Sequence, residues 1–164
     1  MMRTAAITVA ATFALGLCPA HADETQAEIA ASTGTVVQKV HAVGAQVYEC
    51  KPDGHGGLAW SFREPIATLL SGGKTVGRHF AGPTWEMADG SSVTGKPVGK
   101  APGSTADDVP WLRLDATTHG GGVLAGVTTV QRVSTVGGNK AGPCPSEGAF
   151  LAMPYAADYV FSRP

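Results

Sequence analysis

The constraint that bears hardest on the fold is punctuation: 22 Gly and 11 Pro are spread through a chain of 164 residues. Gly supplies the positive φ of tight turns, and Pro fixes φ and removes a backbone donor, so both interrupt helices and ladders. Between them lie β-branched and aromatic runs with a two-residue period, the pattern of short half-buried strands. Thr35–Val40, Gly44–Cys50, Leu58–Arg63, Thr75–Phe80, Thr84–Met87, Val109–Asp115, Val123–Thr135 and Tyr155–Phe161 read as strands, the seventh a central one bulged at Gly126. Glu64–Leu70 is ambiguous: one short helical turn is possible, because Pro65 is tolerated at a first helical position. Gly95–Asp108 reads as a loop. The chain is therefore expected to be mainly β: one antiparallel β-sandwich or partly closed β-barrel with at most short helical turns. It would occupy residues 35–164 after a flexible lead-in at 23–34.

The first 22 residues have the layout of a cleaved export signal. Met1-Met2-Arg3 is a short basic start, Ala5–Leu17 is an uncharged apolar run, and Ala20-His21-Ala22 offers small-x-small for cleavage before Asp23. A lipoprotein signal ending at Cys18 is the rival, but Leu17 is bulky where such a site needs a small residue. The product is thus expected to be exported, periplasmic or extracellular, with no transmembrane segment after cleavage. Removing Cys18 leaves Cys50 and Cys144, and an even pair in an oxidising compartment predicts a disulfide rather than a metal site. Charged residues make up 15 % and the formal net charge is −1, which gives no basis for a nucleic-acid partner.

The densest stretch is Gly77–Val93. It holds His79, a Gly82-Pro83 corner, Trp85 and an Asp89-Gly90 turn within one hairpin-like segment. Together with Gly44–Cys50, Val109-Pro110-Trp111-Leu112, Gln131–Thr135 followed by Gly137-Gly138, and Pro154–Phe161, it resembles the exported-protein family catalogued as domain of unknown function 3455. The resemblance runs from about Gly44 to Phe161. It implies an exported protein of bacterial or fungal type and assigns no chemistry.

The residues themselves leave two functions open. No dinucleotide fingerprint, phosphate loop or Gly-x-Ser-x-Gly elbow occurs, so no cofactor is expected. His41, His55, His79 and His119 show no His-x-His or His-x-x-x-His spacing, and a metal would have to assemble from separate loops such as His79, Asp89 and His119. No metal is expected. A small secreted hydrolase would use His79 as base, with Asp89 to orient it and Ser91 or Ser92 as the hydroxyl. The favoured alternative is a non-enzymatic binding or envelope-associated role with a small ligand or a surface partner. For it the candidate binding residues are Trp85, Arg132 and His119. Trp60, Trp85 and Trp111 are either stacking platforms or core anchors. Arg132, among apolar neighbours, needs a carboxylate from Glu86, Asp115 or Asp158, or from a ligand.

Overall fold

The computed structural model describes residues 24–31 and 34–164. The leader assigned to residues 1–22, with its cleavage point and Cys18, lies outside the described residues. Eight strands follow one another: β1 (Thr35–Pro52), β2 (Leu58–Ser71), β3 (Lys74–Phe80), β4 (Thr84–Met87), β5 (Ser92–Ala101), β6 (Trp111–His119), β7 (Thr129–Gly137) and β8 (Phe150–Arg163). Each pairs antiparallel with the next, and β8 returns to pair with β1 from Glu49↔Phe150 to Thr35↔Arg163. The sheet therefore closes into a barrel, which removes both of its edges. Of the two architectures left open, the sandwich is excluded, since there is one sheet. The ring is uneven. Its strands run from 4 residues in β4 to 18 in β1, and register shifts interrupt several pairs, such as β1–β2 at Val47/Tyr48 and β5–β6 at Pro97/Gly99.

The alternation seen in the sequence decides which side chains face inward. On β1 the inner face carries Val40, Ala42, Gln46, Tyr48 and Cys50, all buried. Leu69 on β2, Trp85 and Met87 on β4, Leu114 on β6, and Tyr155, Tyr159 and Phe161 on β8 complete one continuous core. Gly44 interrupts the β1 face because β2 crosses it closely; a side chain there would collide with the Ile66 carbonyl.

Thr35–Val40 and Gly44–Cys50, read as two strands, are one continuous strand, β1, and three further stretches depart from the sequence reading. Glu64–Leu70 is no helical turn but the second half of β2, with Pro65, Ala67 and Leu69 pointing inward. Half of Gly95–Asp108 is not loop, since β5 extends to Ala101. The run Val123–Thr135 is strand only from Thr129. Its first part folds across one end of the barrel, where Leu124 and Val127 enter the core as a plug.

A separate, smaller core lies outside the ring. Thr25 and Glu28 form a capping box for α1 (Gln26–Ala30), and Ile29 of that helix is fully buried against Ala101, Trp111, Val133 and Val160. Gln131 Nε2 donates to the Ile29 and Ala31 carbonyls at 2.5 and 2.9 Å, and Arg113 meets Glu24 at 2.7 Å. The stretch read as a lead-in thus carries a helix seated on β5–β7. Among the described residues no helix is long and apolar enough to cross a membrane.

Candidate functional site

The plug fills one end of the barrel; the other end is hollow. Inside it lies a cavity of about 460 Å³, within the range of small-molecule sites. Its mouth is framed by Gly82-Pro83 between β3 and β4 and by Val109-Pro110 ahead of β6. The Cys50–Cys144 disulfide ties the loop between β7 and β8 to this end, with Cα atoms 5.7 Å apart. Backbone bonds reinforce the tie: Cys50 N–H donates to the Ala149 carbonyl and Trp60 N–H to that of Gly142. Tyr48 Oη donates to the Gly138 carbonyl at 2.8 Å, which holds the same loop across the mouth. The expected disulfide is present, and it braces the rim.

The floor is aromatic. His79 is stacked on Trp85, with centroids 4.5 Å apart and an interplanar angle of 7°, and both meet Tyr159 edge-on. Gly95 makes room for this packing, since a Cβ there would stand 2.9 Å from the Trp85 ring. His79 Nδ1 lies 2.8 Å from the Thr84 carbonyl oxygen, so that nitrogen carries the proton and Nε2 is left as an acceptor. Burial pushes the His79 pKa down to about 4; the Thr84 carbonyl opposes that shift and the nearby Arg132 charge adds to it. The imidazole is neutral at pH 7. Burial likewise raises the phenols of Tyr155 and Tyr159, whose hydroxyls share a hydrogen bond of 2.5 Å, so neither is an anion.

A base whose folded pKa lies below its unfolded value takes up a proton on unfolding. His79 therefore contributes fully to stability above pH 6.5, and that contribution declines as the pH falls towards 4. The expected loss by pH 4 is about 3 kcal/mol. Asp53, Asp89 and Asp108, held low by hydrogen bonds to backbone and neighbouring side chains, lose theirs only below about pH 4. Urea midpoints between pH 6.5 and 4.5 should fall for the wild type and fall less for His79→Phe. Equal slopes would show that His79 is not the titrating group.

Arg132 is one of two arginines that line the cavity. Its Nε and Nη2 both donate to the Pro110 carbonyl, at 3.0 and 2.8 Å, and no carboxylate lies within ion-pair distance among the described residues. The proposed protein partners are engaged or elsewhere: Glu86 pairs with Arg78 and Asp158 with His41, while Asp115 is an exposed residue of β6. Among the described residues no Asp or Glu lines the cavity. Two buried donors that line the same cavity are also unspent among the described residues. Among the described residues Gln46 Nε2 and Trp85 Nε1 have no hydrogen-bond partner; the indole faces the Tyr159 hydroxyl but stands outside bonding geometry.

The other sequence candidates sit away from this cavity. Asp89 Oδ1 accepts from Ser91 N–H and Oγ–H, and Asp89 Oδ2 accepts from Val123 N–H. Ser91 Oγ in turn accepts from Leu124 N–H, so this pair fastens the plug at the far end of the barrel. No hydrogen bond joins either residue to His79 among the described residues. His119 is exposed at the end of β6, 3.1 Å from Thr94 Oγ1. Trp111 packs under α1, outside the barrel, and Trp60 does not line the cavity. No three His, Cys, Asp or Glu side chains converge as a metal site among the described residues.

The sequence reading thus named Trp85, Arg132 and His79 but missed Gln46, Tyr48 and Tyr159. Gln46 had one visible signal: it shares a strand face with Tyr48 and Cys50, and a polar residue on that face has to be answered by a partner.

The fold and cavity define a class, the antiparallel β-barrel with an internal small-molecule-sized pocket open at one end. Within it, residues 30–163 match the family described as a protein of unknown function, DUF3455, and the chain belongs to that family. No curated protein and no solved structure matches the chain.

Proposed function

We propose that this protein is an exported, disulfide-braced barrel that binds a small molecule in the hollow end of the barrel, with no catalytic step. The observation that carries the reading is the cavity itself. Eight-stranded barrels are wide enough either to be filled by side chains or to hold one small ligand, and here one half is filled while the other is left open. The lining suits a ligand, with Phe62, Pro65, Leu112 and Leu114 as apolar walls and a few polar groups among them. Export to a periplasmic or extracellular space accords with the 22-residue leader and with the disulfide. Binding is favoured over a hydrolase built on His79 with Asp89 or Ser91, because the latter two are committed to the plug.

The test is a titration with the neutral, environment-sensitive fluorophore N-phenyl-1-naphthylamine. The wild type should bind it with enhanced, blue-shifted emission. Leu112→Trp, which grows a side chain into empty space, should weaken binding by roughly tenfold or more while leaving the melting temperature within a few degrees. Equal binding by both proteins would remove the cavity from the account.

A further inference from the structure

We infer that the ligand is a small monocarboxylic acid with an apolar body, its carboxylate held by Arg132 and Gln46 on the inner wall of the barrel. The inference rests on the cavity being a binding site, and it adds the chemical class of what binds there.

Charge is the first ground. Arg132 brings a permanent guanidinium to a cavity that has no acidic lining residue among the described residues. Its protein partners are the Pro110 carbonyl, which accepts from Nε and Nη2, and the Tyr159 hydroxyl; both are neutral, so neither cancels the charge. The other cation of the lining, Arg63, is turned to the rim, where it meets Glu64 at 3.1 Å and lies over the Phe150 ring at 5.0 Å. His79 is neutral and the tyrosines are protonated. One uncompensated positive charge calls for one negative charge, which fits a carboxylate better than a phosphate dianion.

Hydrogen-bond supply is the second, independent ground. Gln46 is 1 % exposed and its amide nitrogen has no partner among the described residues, although a buried unsatisfied donor costs about 1–3 kcal/mol. Trp85 Nε1, at the floor of the same cavity, also has no partner among the described residues. Such groups are retained where an acceptor-rich molecule satisfies them on binding. Their surroundings set the remainder of the ligand: Tyr48, Phe62, Leu112 and Leu114 offer apolar and aromatic surface, with the His79–Trp85 stack beneath. The unspent donors and the free charge take the carboxylate, and the walls take the carbon skeleton.

Calorimetric titration of the full mature protein with matched pairs, decanoate against decanamide and 4-phenylbutyrate against 4-phenylbutanamide, tests this directly. At least one acid should bind, and more tightly than its amide by roughly 10- to 100-fold, the worth of a desolvated charge-assisted bond. Arg132→Met should bring acid and amide to within about threefold of each other, and Arg132→Lys should restore part of the preference. Gln46→Leu should weaken the acid while leaving the amide less affected. Near-ultraviolet circular dichroism confirms that each variant is folded, and the less disruptive lysine variant decides the matter if methionine unfolds the loop at Pro110. An amide that binds as well as its acid, or an acid preference that survives Arg132→Met, overturns the inference. Failure of both acids while the neutral fluorophore still binds overturns it too, and leaves the cavity as a binding site. Failure of every probe, fluorophore included, sinks both readings.

Discussion

Removing the disulfide by Cys50→Ala with Cys144→Ala is expected to cost about 4–5 kcal/mol of folding stability, the chain-entropy value for so long a loop. The bridge spans a sequence separation of 94, so it constrains more than half of the 164-residue chain in the unfolded state. For a domain of this size the loss corresponds to a fall in melting temperature on the order of 15 °C. The urea m-value should rise at the same time, because an unbridged unfolded chain exposes more surface. Damage is expected to concentrate at the open end, since Cys50 lies beside the backbone bonds that hold residues 142–149 against β1 and β2. Ligand affinity should weaken along with stability. A double variant within about 1 kcal/mol of the wild type would show that those backbone bonds hold the rim without help.

What could be read from the sequence followed how directly each segment's pattern reflects its burial. Strands that bury one face repeat with a period of two, and β1, β3, β4 and β8 were visible for that reason. β5 was missed because its inner face carries little bulk. Gly95 yields its space to Trp85, Pro97 stands at a register shift, and Lys96 and Lys100 face solvent. The small residues that resembled a loop were the consequence of a large neighbour on the adjacent strand. The plug misled in the opposite direction: Leu124 and Val127 are apolar because they close the end of the core, and an apolar run carries no mark that separates a stopper from a strand.

The site was legible by residue type and not by position. An Arg in an apolar strand had to find an anion, and it was flagged on that ground; only the fold reveals that none of the carboxylates among the described residues pairs with it. Asp89 and Ser91 illustrate the converse. An Asp two residues before a Ser suggests catalysis and describes an Asx turn equally well, since the same side-chain oxygen accepts from the following backbone N–H. The turn lies at the plugged end because β4 has 4 residues and carries the chain from the mouth to the far end. His79 and Asp89 are near in sequence, yet their hydrogen bonds serve opposite ends of the barrel.

Trp85→Ala is the single substitution expected to damage the molecule most, by about 3–5 kcal/mol. The ring is 1 % exposed and packs against His79, Tyr159 and Phe161, with Gly95 above it. Removing it leaves a void that the closed sheet cannot collapse to fill, and it joins that void to the ligand cavity. A surviving fraction should therefore accept a bulkier apolar ligand than the wild type, with the floor lowered into the core. Trp85→Phe separates the indole's two roles. It keeps most of the aromatic volume and the stack on His79, so it should cost well under half as much stability, yet it removes Nε1 as a donor to a bound carboxylate. Chemical denaturation of both variants, paired with the decanoate titration, reads the roles independently. If Trp85→Ala were as stable as Trp85→Phe, the ring would not be the floor on which this half of the barrel is built. If Trp85→Phe bound decanoate as tightly as the wild type, Gln46 and Arg132 would hold the acid without the indole.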